Sequence, residues 1–545
     1  MLHHKAAVLL LLSLALPVFA RQPHQPVTGA PVIRGSEGAP LRRNINDLSA
    51  AGGPQWNLYL LALRAMQQEN DENPLSYFQL MGIHGAPYIE YNGAGAQVDG
   101  DWQGYCPHTE DLFLPWHRPH IALFEQTLVS KAKQIALKYP ESVRAEYTHA
   151  AETLRSPYWD WARDSRVPPA TAPLKIRVNG SNGEVELDNP LRVYRFPKPV
   201  LDGKYGKFDP SKRPEVYRCR NAAGYPADAN RRMGRFPFGQ LVYDAFTYAR
   251  SFTEFCRGNG GFISLEQIHD SVHFDAACRE QLVEVELAAF DPLFMLHHTQ
   301  MDRLWAYWQA LHQDDGDQVF QEPYLGKSRF STAKGSVINV DSPLTPFFQP
   351  SMAFHTPRSV LKLSDFGYAY AGLEWWRHDK DQRRRAAARV INGYGAPKQA
   401  RTRHFARLRV HVADFGRPCM VDVFVKDRIV TRITAEAWPN PGSVWTGFGL
   451  DEFGIHHDDL ANMTIGVQIS KVPSPLFPVA TRLTSSPQYD GSDVAMEAIS
   501  HVEARVDVFK VKPLSADELQ RPQPSYVLPA SVMLIRGQNG TTLSA

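Results

Sequence analysis

The segment SLEQIHDSVH constrains the fold most strongly, because it places His269 and His273 four residues apart. Side chains at positions i and i+4 of a helix lie on the same face, one turn apart, so both imidazoles can reach one metal ion. His298, at the start of the predicted helix HHTQMDRLWAYWQAL, can supply a third imidazole. Three histidines without a cysteine or carboxylate ligand suit zinc, copper, iron or nickel about equally. The spacing therefore predicts a metal site on a helix and leaves the metal open.

A second group of histidines lies earlier in the chain. The segment MGIHGAPY contains His84, and YCPHTEDLFLPWHRPH contains His108 and His117 ahead of a predicted helix rich in leucine and phenylalanine. Each of these residues alone is typical of a loop histidine, but two groups of three favour two metal sites. If the two sites face each other, they form a binuclear centre that can bind one small molecule between the metals.

The composition indicates a globular protein with room for two or three domains. The chain has 545 residues, of which 43% are hydrophobic and 21% are charged. Its 59 basic and 57 acidic residues nearly cancel, so neither nucleic acid nor an anionic membrane is expected as a partner. Residues 1–20 have the basic start, apolar run and small-residue end of a signal peptide. We expect a secreted, extracellular protein with glycosylation acceptors at Asn179, Asn462 and Asn539.

Patterns of hydrophobic residues divide the rest of the chain into three parts. Residues 21–376 contain helical periodicity, as in PQWNLYLLALRAMQQ and IALFEQTLVSKAKQIALKY, which predicts a mainly α domain that contains both histidine groups. Within it, residues 167–235 are broken by proline, glycine and asparagine and predict loops with a small hairpin. Residues 377–403 are basic and predict a linker, either a solvated loop or a processing site. Residues 404–545 alternate with period two, which predicts a β-rich, sandwich-like C-terminal domain.

Five segments, in this order along the chain, carry a resemblance to a known family: HGAPY, CPHTEDLFLPWHRPH, YWDWA, LEQIHDSVH and DPLFMLHHTQMDRLW. They resemble the two copper-binding motifs of tyrosinases, catechol oxidases and molluscan hemocyanins, the coupled binuclear (type 3) copper proteins. The resemblance covers about residues 46 to 376 and implies two copper ions held in a four-helix bundle, with O2 as co-substrate. Neutral imidazoles support both Cu(I) and Cu(II), so two coppers can together deliver two electrons to O2.

The resemblance also implies a role for each histidine of the two groups. The ligands of the first copper are His84, His108 and His117, and those of the second are His269, His273 and His298. In the family the second histidine of the HH pair binds metal, so His297 is implied to be a neighbour of the site. Phe294, one turn before His298, is implied to pack against the ligand ring.

The five cysteines can be explained within the same resemblance. Cys106 lies two residues before His108, where fungal tyrosinases and molluscan hemocyanins carry a thioether bond between cysteine and histidine. A thioether at Cys106 leaves four cysteines, which could form two disulfides in one of three pairings. Those four are Cys219, Cys256, Cys278 and Cys419.

Hydroxylation of a monophenol requires a base, because a phenol has a pKa of about 10. Glu266, three residues before His269, is the candidate for the glutamate that holds the base water in tyrosinases. The family has asparagine directly after the first ligand of the second copper, whereas this chain has Asp270, which could serve as a base or an orienting group. Val285 falls where the family has its gate residue. The aspartate leaves the strength of monophenol hydroxylation open.

The function expected from these features is that of a secreted polyphenol oxidase that converts o-diphenols to o-quinones and hydroxylates monophenols more weakly. A narrow biosynthetic oxidase for one phenol or o-aminophenol is the main alternative, and an oxygen carrier of the hemocyanin kind is a further one. The oligomeric state cannot be predicted. In longer family members a C-terminal domain covers the copper pocket, and Trp445 or Phe448 could be the covering ring here.

Overall fold

The computed structural model describes the helical part of the chain almost continuously and the β-rich part in segments. The described residues are 24–33, 38–100, 102–206, 213–219, 224–258, 261–411, 419–425, 428–435, 443–455, 464–471, 502–512, 514–519, 521–529, 531–535 and 542–543. The predicted signal peptide and two of the predicted glycosylation acceptors, Asn462 and Asn539, lie outside these residues. The third acceptor, Asn179, is exposed in a hairpin near the surface.

Twelve α-helices occur within the described residues, and eleven of them precede residue 312. The helices are α1 (Ile45–Ala51), α2 (Gly53–Gln67), α3 (Tyr77–Gly82), α4 (Phe113–Ala136), α5 (Glu141–Thr153), α6 (Lys198–Leu201), α7 (Ala227–Met233), α8 (Phe238–Tyr248), α9 (Phe252–Cys256), α10 (Leu265–Ala276), α11 (Leu293–Leu311) and α12 (Lys380–Gly395). The predicted mainly α domain is thereby confirmed.

Helices α2, α4, α10 and α11 form the bundle at the centre of this domain. Helix α4 packs against both α2 and α11, and α11 packs against α10. The apolar positions predicted to face the core are all buried; they are Trp56, Leu60, Leu63 and Met66 in α2, and Ile121, Phe124, Leu128 and Ala132 in α4. Helix α10 begins at a capping box, in which the Ser264 side chain and the Gln267 side chain each bond the other residue's backbone N–H. Helices α2 and α4 were predictable because their apolar residues recur at helical spacing.

The irregular region between α5 and α7 contains the predicted small hairpin. Its strands are β1 (Lys175–Gly180) and β2 (Gly183–Asp188), which pair antiparallel.

Farther on, a disulfide joins Cys219 to Cys278, just after the end of α10. Cys256 is a buried thiol without a disulfide, so the expectation of two disulfides among the four remaining cysteines is wrong. The side chain of Cys419 lies outside the described part of the chain.

The basic segment 377–403 is not the loop that its composition suggested. Residues 380–395 form helix α12, which packs against α8 and α11 and buries Ala387, Ala388 and Ile391. The physical reason is a capping box between Asp379 and Gln382, followed by an alanine-rich stretch with high helix propensity. The role of this segment as a linker between domains remains a prediction.

The C-terminal part is a sandwich of two sheets, as predicted. Its strands are β5 (Arg401–His411), β6 (Cys419–Val425), β7 (Arg428–Ala435), β8 (Ser443–Gly449), β9 (Thr464–Lys471), β10 (Val502–Val511), β11 (Pro524–Pro529), β12 (Ser531–Ile535) and β13 (Thr542–Leu543). The strand orders of the two sheets are β11-β10-β5-β8 and β13-β12-β9-β6-β7. Strands are numbered in chain order, and the missing numbers belong to two short strands of the α domain that pair with each other, β3 (Tyr324–Leu325) and β4 (Val337–Ile338). Alternate residues such as Leu408, Val423 and Val467 fill the core between the sheets.

The sandwich is docked on the α domain through the outer face of its four-stranded sheet and through β7 of the other sheet. The ring of Tyr248 lies 4.2 Å from that of Phe405 and 4.8 Å from that of Phe509. A fully buried ion pair joins Arg432 of β7 to Asp275 of α10, at 2.8 Å between Nη1 and Oδ2. At the other end of α10, the Gln267 side-chain amide donates to the backbone carbonyl of Trp445 at 2.6 Å. The sandwich therefore contacts both ends of one bundle helix.

The two rings suggested as a cover for the pocket lie in different places. Phe448 is fully buried in the core between the two sheets. The ring of Trp445 faces two arginines of its own sheet, Arg409 and Arg505, whose guanidinium carbons lie 5.8 and 6.0 Å from the ring centroid. Phe448 therefore does not cover the histidines, whereas the role of Trp445, on the sheet face that also carries Phe405, remains a prediction.

A buried ionic network braces the interior of the α domain beside α11. Asp302 accepts from Arg118 Nε at 2.5 Å and from Arg42 Nη1 at 2.9 Å, and both arginines are fully buried. The hydroxyls of Tyr368 and Tyr370 each donate to Asp302 Oδ2 at 2.7 Å. One carboxylate thus joins the N-terminal segment, α4, α11 and the end of the α domain.

We predict that Asp302→Asn lowers the free energy of unfolding by about 3–5 kcal/mol, because it removes the carboxylate from two buried guanidinium groups. Urea unfolding followed by tryptophan fluorescence measures the change. Asp341→Asn is the matched control, since Asp341 pairs with Arg358 at the exposed surface and its loss should leave stability almost unchanged. Equal effects of the two substitutions would contradict this role of Asp302.

Candidate metal centre

The histidines of α10 and α11 converge on one point in the bundle. His269 Nε2 and His273 Nε2 each lie 3.2 Å from His298 Nε2. A tetrahedral metal with bonds of ~2.0–2.1 Å to imidazole holds its nitrogens about 3.3 Å apart. His298 Nε2 therefore has, to each of the other two nitrogens, the spacing that one metal ion requires. The i, i+4 spacing in α10 produces two of these positions, and the first turns of α11 produce the third.

The adjacent His297 also belongs to this cluster but differs from the others in which ring nitrogen carries the proton. Trp161 Nε1–H donates to His297 Nδ1 at 3.0 Å, so a neutral His297 carries its own proton on Nε2. A protonated Nε2 has no lone pair for a metal. For His298, by contrast, Nε2 is the atom directed at the other two imidazoles, and Phe294 stacks on the His298 ring with centroids 4.0 Å apart. The hydrogen bond from Trp161 thus distinguishes the two members of the HH pair.

The earlier histidines form a second group. The ring centroid of His84 lies 5.4 Å from that of His108 and 5.6 Å from that of His117. The closest set of possible ligand atoms here combines His84, Cys106 and His108, and His117 lies on the side toward the other group. The His117 and His298 rings stack at 4.4 Å, so the two groups are direct neighbours. The structure thus brings together all six histidines that the sequence singled out.

Hydrogen bonds to Nδ1 hold four of the six rings with Nε2 directed inward. His84 Nδ1 bonds the carbonyl of Val285 at 2.9 Å, and His273 Nδ1 bonds that of Leu282 at 2.7 Å. His117 Nδ1 bonds the carbonyl of Phe113 at 2.7 Å, and His269 Nδ1 bonds the carboxylate of Asp270 at 2.9 Å. Such acceptors fix the tautomer and orientation of a ligating imidazole.

These histidines are neutral in the folded protein. Burial, together with the neighbouring imidazoles, lowers the pKa values of His84, His117, His269 and His298 well below the usual range. Burial lowers the pKa of His108 to about 3 and that of His273 to about 4. Neutral imidazole is the form that binds metal.

The residues present fit two copper ions. The Nε2 atoms of His84 and His117 are buried and have no hydrogen-bond partner among the described residues, which leaves their lone pairs for a metal. An imidazole-only donor set suits copper in both of its common oxidation states. Cys106 Sγ lies 3.5 Å from His108 Nδ1, which is close enough for the implied thioether to form without a change of fold.

Two carboxyl groups stand one turn apart on α10 beside these imidazoles. Asp270 accepts from His269 Nδ1, its side chain is mostly buried, and that burial raises its pKa to about 8. Glu266 is buried, and its Oε1 accepts from the backbone N–H of Thr109 at 2.6 Å. Burial and, after it, the Asp270 carboxylate raise the pKa of Glu266 well above its usual range. The positive charge of bound copper ions would act on both groups in the opposite direction.

Comparison with known proteins identifies the family. Residues 74–311 match the family model described as the common central domain of tyrosinase. A tyrosinase of Podospora anserina is 34% identical over 384 residues, which cover 65% of this chain and 65% of that protein. The chain belongs to the tyrosinase family of type 3 copper proteins. Proteins of this family are copper oxidoreductases with two copper sites.

Two further similarities extend this finding. A tyrosinase of Neurospora crassa is 33% identical over 397 residues, which cover 67% of this chain and 57% of that protein. This tyrosinase-family chain thus covers less than two thirds of the length of either relative. A mushroom tyrosinase crystallised in latent and active forms has the same fold, with a TM-score of 0.74 and 18% identity over 94% of this chain and 100% of that one.

Among the residues that the structure describes, no helix is long and apolar enough to cross a bilayer.

Several residues around the tyrosinase-family site were not predicted from sequence. Val285 was expected only as a gate, yet its backbone carbonyl holds His84. Trp161 lies in the motif YWDWA, but nothing in that motif indicates that its indole fixes the proton of His297. Lys327 contacts the Thr109 hydroxyl, and the Thr109 backbone N–H contacts Glu266. No local signal could have found Lys327, because the residues it contacts are more than two hundred positions away in the chain.

We predict that His298→Ala loses one of two copper ions per chain, whereas His297→Ala retains both. The reason is that His298 Nε2 lies at the convergence point, while His297 carries its proton on Nε2. Metal analysis of the copper-loaded, purified variants measures the ratio, with circular dichroism as a control for folding. Loss of copper from His297→Ala alone would reverse the assignment.

We also predict a covalent bond between Cys106 and His108 in the copper-loaded tyrosinase-family protein. The two side chains are already in contact and lie two residues apart. A peptide containing both residues should then weigh two hydrogens less than its linear sequence, because thioether formation removes them. Mass spectrometry after alkylation measures this difference, and an alkylated Cys106 in fully loaded protein would rule the bond out.

Proposed function

We propose that the chain is a secreted polyphenol oxidase that uses O2 at a binuclear copper centre to oxidise o-diphenols to o-quinones. Weaker ortho-hydroxylation of monophenols is part of the proposal. The observation that supports it best is the pair of adjacent three-imidazole groups, with the Nε2 atoms directed inward and the Nδ1 atoms of four rings held by acceptors. In this proposal His84, His108 and His117 hold the first copper, and His269, His273 and His298 hold the second.

Bound copper would supply the two electrons needed to reduce O2, and the protein supplies a dry, oriented setting for that chemistry. The six histidines are buried or nearly buried within the bundle. Their surroundings are aromatic: Phe113 lies 4.8 Å from the His269 ring, and Phe294 lies 4.9 Å from the His84 ring. Exclusion of water from such a site strengthens every electrostatic interaction inside it.

Two carboxyl groups are proposed to handle the proton of the substrate. A diphenol needs little help, whereas a monophenol must lose a proton with a pKa of about 10 before it can react. Glu266 Oε2 is buried without a hydrogen-bond partner among the described residues, so it can hold a proton or an ordered water. Asp270 already accepts the Nδ1 proton of His269 and so orients that ring. We assign the base to Glu266; Asp270 orients His269, and its charge acts on the pKa of Glu266.

The C-terminal sandwich is proposed to limit access to the copper pair. The supporting observation is its contact with both ends of α10, through Gln267 and through Asp275. Secretion, the gate role of Val285, and the domain boundaries at residues 376 and 404 belong to the same proposal. Val285 lies next to the site through its carbonyl and has a partly buried side chain, which is compatible with a gate.

Oxygen uptake with matched monophenols, o-diphenols and o-aminophenols tests the proposal. We expect rapid uptake with o-diphenols and slower uptake with monophenols after a lag. Removal of copper with a chelator should abolish both rates, and return of copper should restore them. Preference for an o-aminophenol would favour the narrow biosynthetic oxidase instead, and reversible O2 binding without turnover would favour the oxygen carrier. Cleavage within residues 377–403 should raise both diphenol and monophenol rates equally if the sandwich is a cover.

We predict that Glu266→Gln depresses the monophenol rate more than the diphenol rate, because only the monophenol needs a base to become a phenolate. Asp270→Asn should change the ratio of the two rates, since asparagine still bonds His269 but carries no charge. Steady-state rates at saturating substrate measure both effects, with copper content checked for each variant. Equal losses on both substrates, at full copper content, would remove the carboxyl group concerned from proton transfer.

A further inference from the structure

Thr109, the residue directly after His108, has an unfavourable backbone conformation. Its φ angle is +53°, in the left-handed region that β-branched residues rarely adopt. Strained residues of this kind persist only where the surrounding structure holds them, and they cluster at functional sites. The strain lies in the loop that carries a proposed ligand of the first copper.

Two side chains hold Thr109, one at its backbone N–H and one at its hydroxyl. Its backbone N–H donates to Glu266 Oε1 at 2.6 Å, which ties the loop to the helix that carries two ligands of the second copper. Its hydroxyl accepts from Lys327 Nζ and donates to the carbonyl of His108 at 2.7 Å. The hydroxyl therefore connects the lysine ammonium to the backbone of the ligand residue itself.

Lys327 is fixed by its own neighbours. Its backbone N–H donates to Glu110 Oε1 at 2.8 Å. The other oxygen of Glu110 pairs with Arg329 Nη1 at 2.7 Å and accepts from the Tyr324 hydroxyl at 3.1 Å. The lysine side chain is partly buried, and its backbone is held by the bond to Glu110. The ammonium therefore reaches Thr109 from a fixed position. A partly buried ammonium in this setting interacts strongly with the few acceptors within its reach.

We propose that Lys327 is a positioning residue that, together with Glu266, holds Thr109 in its left-handed conformation and thereby fixes His108 for the first copper. The proposal rests on the copper function proposed above. It makes Glu266 serve both metal sites, since this residue of the second site's helix also holds the loop of the first site. Residues that orient a ligand from outside its coordination sphere commonly change metal affinity about 10–100-fold when they are replaced.

Replacement of Lys327 tests the positioning role by copper retention. Lys327→Met should lose one of two coppers at a chelator concentration that leaves the unsubstituted protein fully loaded, and Lys327→Arg should retain more copper than Lys327→Met. Lys362→Met, at an exposed lysine elsewhere in the α domain, is the matched control and should retain both coppers. Full retention by Lys327→Met would overturn the proposal.

A second substitution separates positioning from a general loss of stability. Glycine adopts a positive φ without steric cost, so the double variant Lys327→Met with Thr109→Gly should recover copper that Lys327→Met alone has lost. A merely structural lysine predicts no such recovery. Failure of the double variant to exceed the single variant, with both folded by circular dichroism, would contradict the conformational role.

The yield of the Cys106–His108 thioether locates the effect at the first site. Lys327→Met should lower the fraction of cross-linked peptide, whereas His298→Ala provides the comparison with damage to the second site. An unchanged yield in Lys327→Met would show that the lysine does not act on His108. The unsubstituted protein separates this test from that of the proposed function, because failure to bind two coppers there would reject the copper proposal itself.

Discussion

The structure depends on the hydrogen bonds that fix the second nitrogen of the buried imidazoles. A neutral histidine can direct a lone pair at a metal only if its proton resides on the other nitrogen, and a nearby acceptor decides which nitrogen that is. Here the acceptors are carbonyls of Val285, Leu282 and Phe113 and the carboxylate of Asp270. The reverse arrangement, in which Trp161 donates to His297, removes one neighbouring imidazole from the set. Metal binding is therefore prepared by the fold before any metal arrives.

The rest of the molecule supports this preparation. The segment between α10 and α11 supplies a carbonyl acceptor to both histidine groups: Val285 bonds His84, and Leu282 bonds His273. Both groups therefore depend on the position of this one segment. Asp302, one turn after His298, fixes α11 to Arg42 and Arg118. The C-terminal sandwich contacts α10 at both ends through Gln267 and Asp275. A change in how the sandwich docks would thus displace α10, the helix that carries two proposed copper ligands.

Much of this arrangement could be predicted from sequence where the signals are local. The helical spacing of His269 and His273 placed both on one face, and period-two alternation indicated the sandwich. Helix α12 was missed because its basic composition obscured the capping box of Asp379 and Gln382. Contacts such as Lys327 to Thr109, separated by 218 positions, leave no periodic trace in the sequence. The partner of each Nδ1 is set by tertiary packing and could not be read from residue types.

X-ray absorption at the copper edge of the loaded protein tests most directly whether the six histidines hold a binuclear copper centre. We expect three imidazole nitrogens per copper, at the ~2.0 Å typical of metal–imidazole bonds, and a second copper among the near neighbours of each ion. The signal should be the same for His297→Ala and should lose the copper neighbour for His298→Ala. A spectrum with isolated copper ions, or with sulfur or carboxylate as the main ligands, would contradict a binuclear centre built from these six histidines.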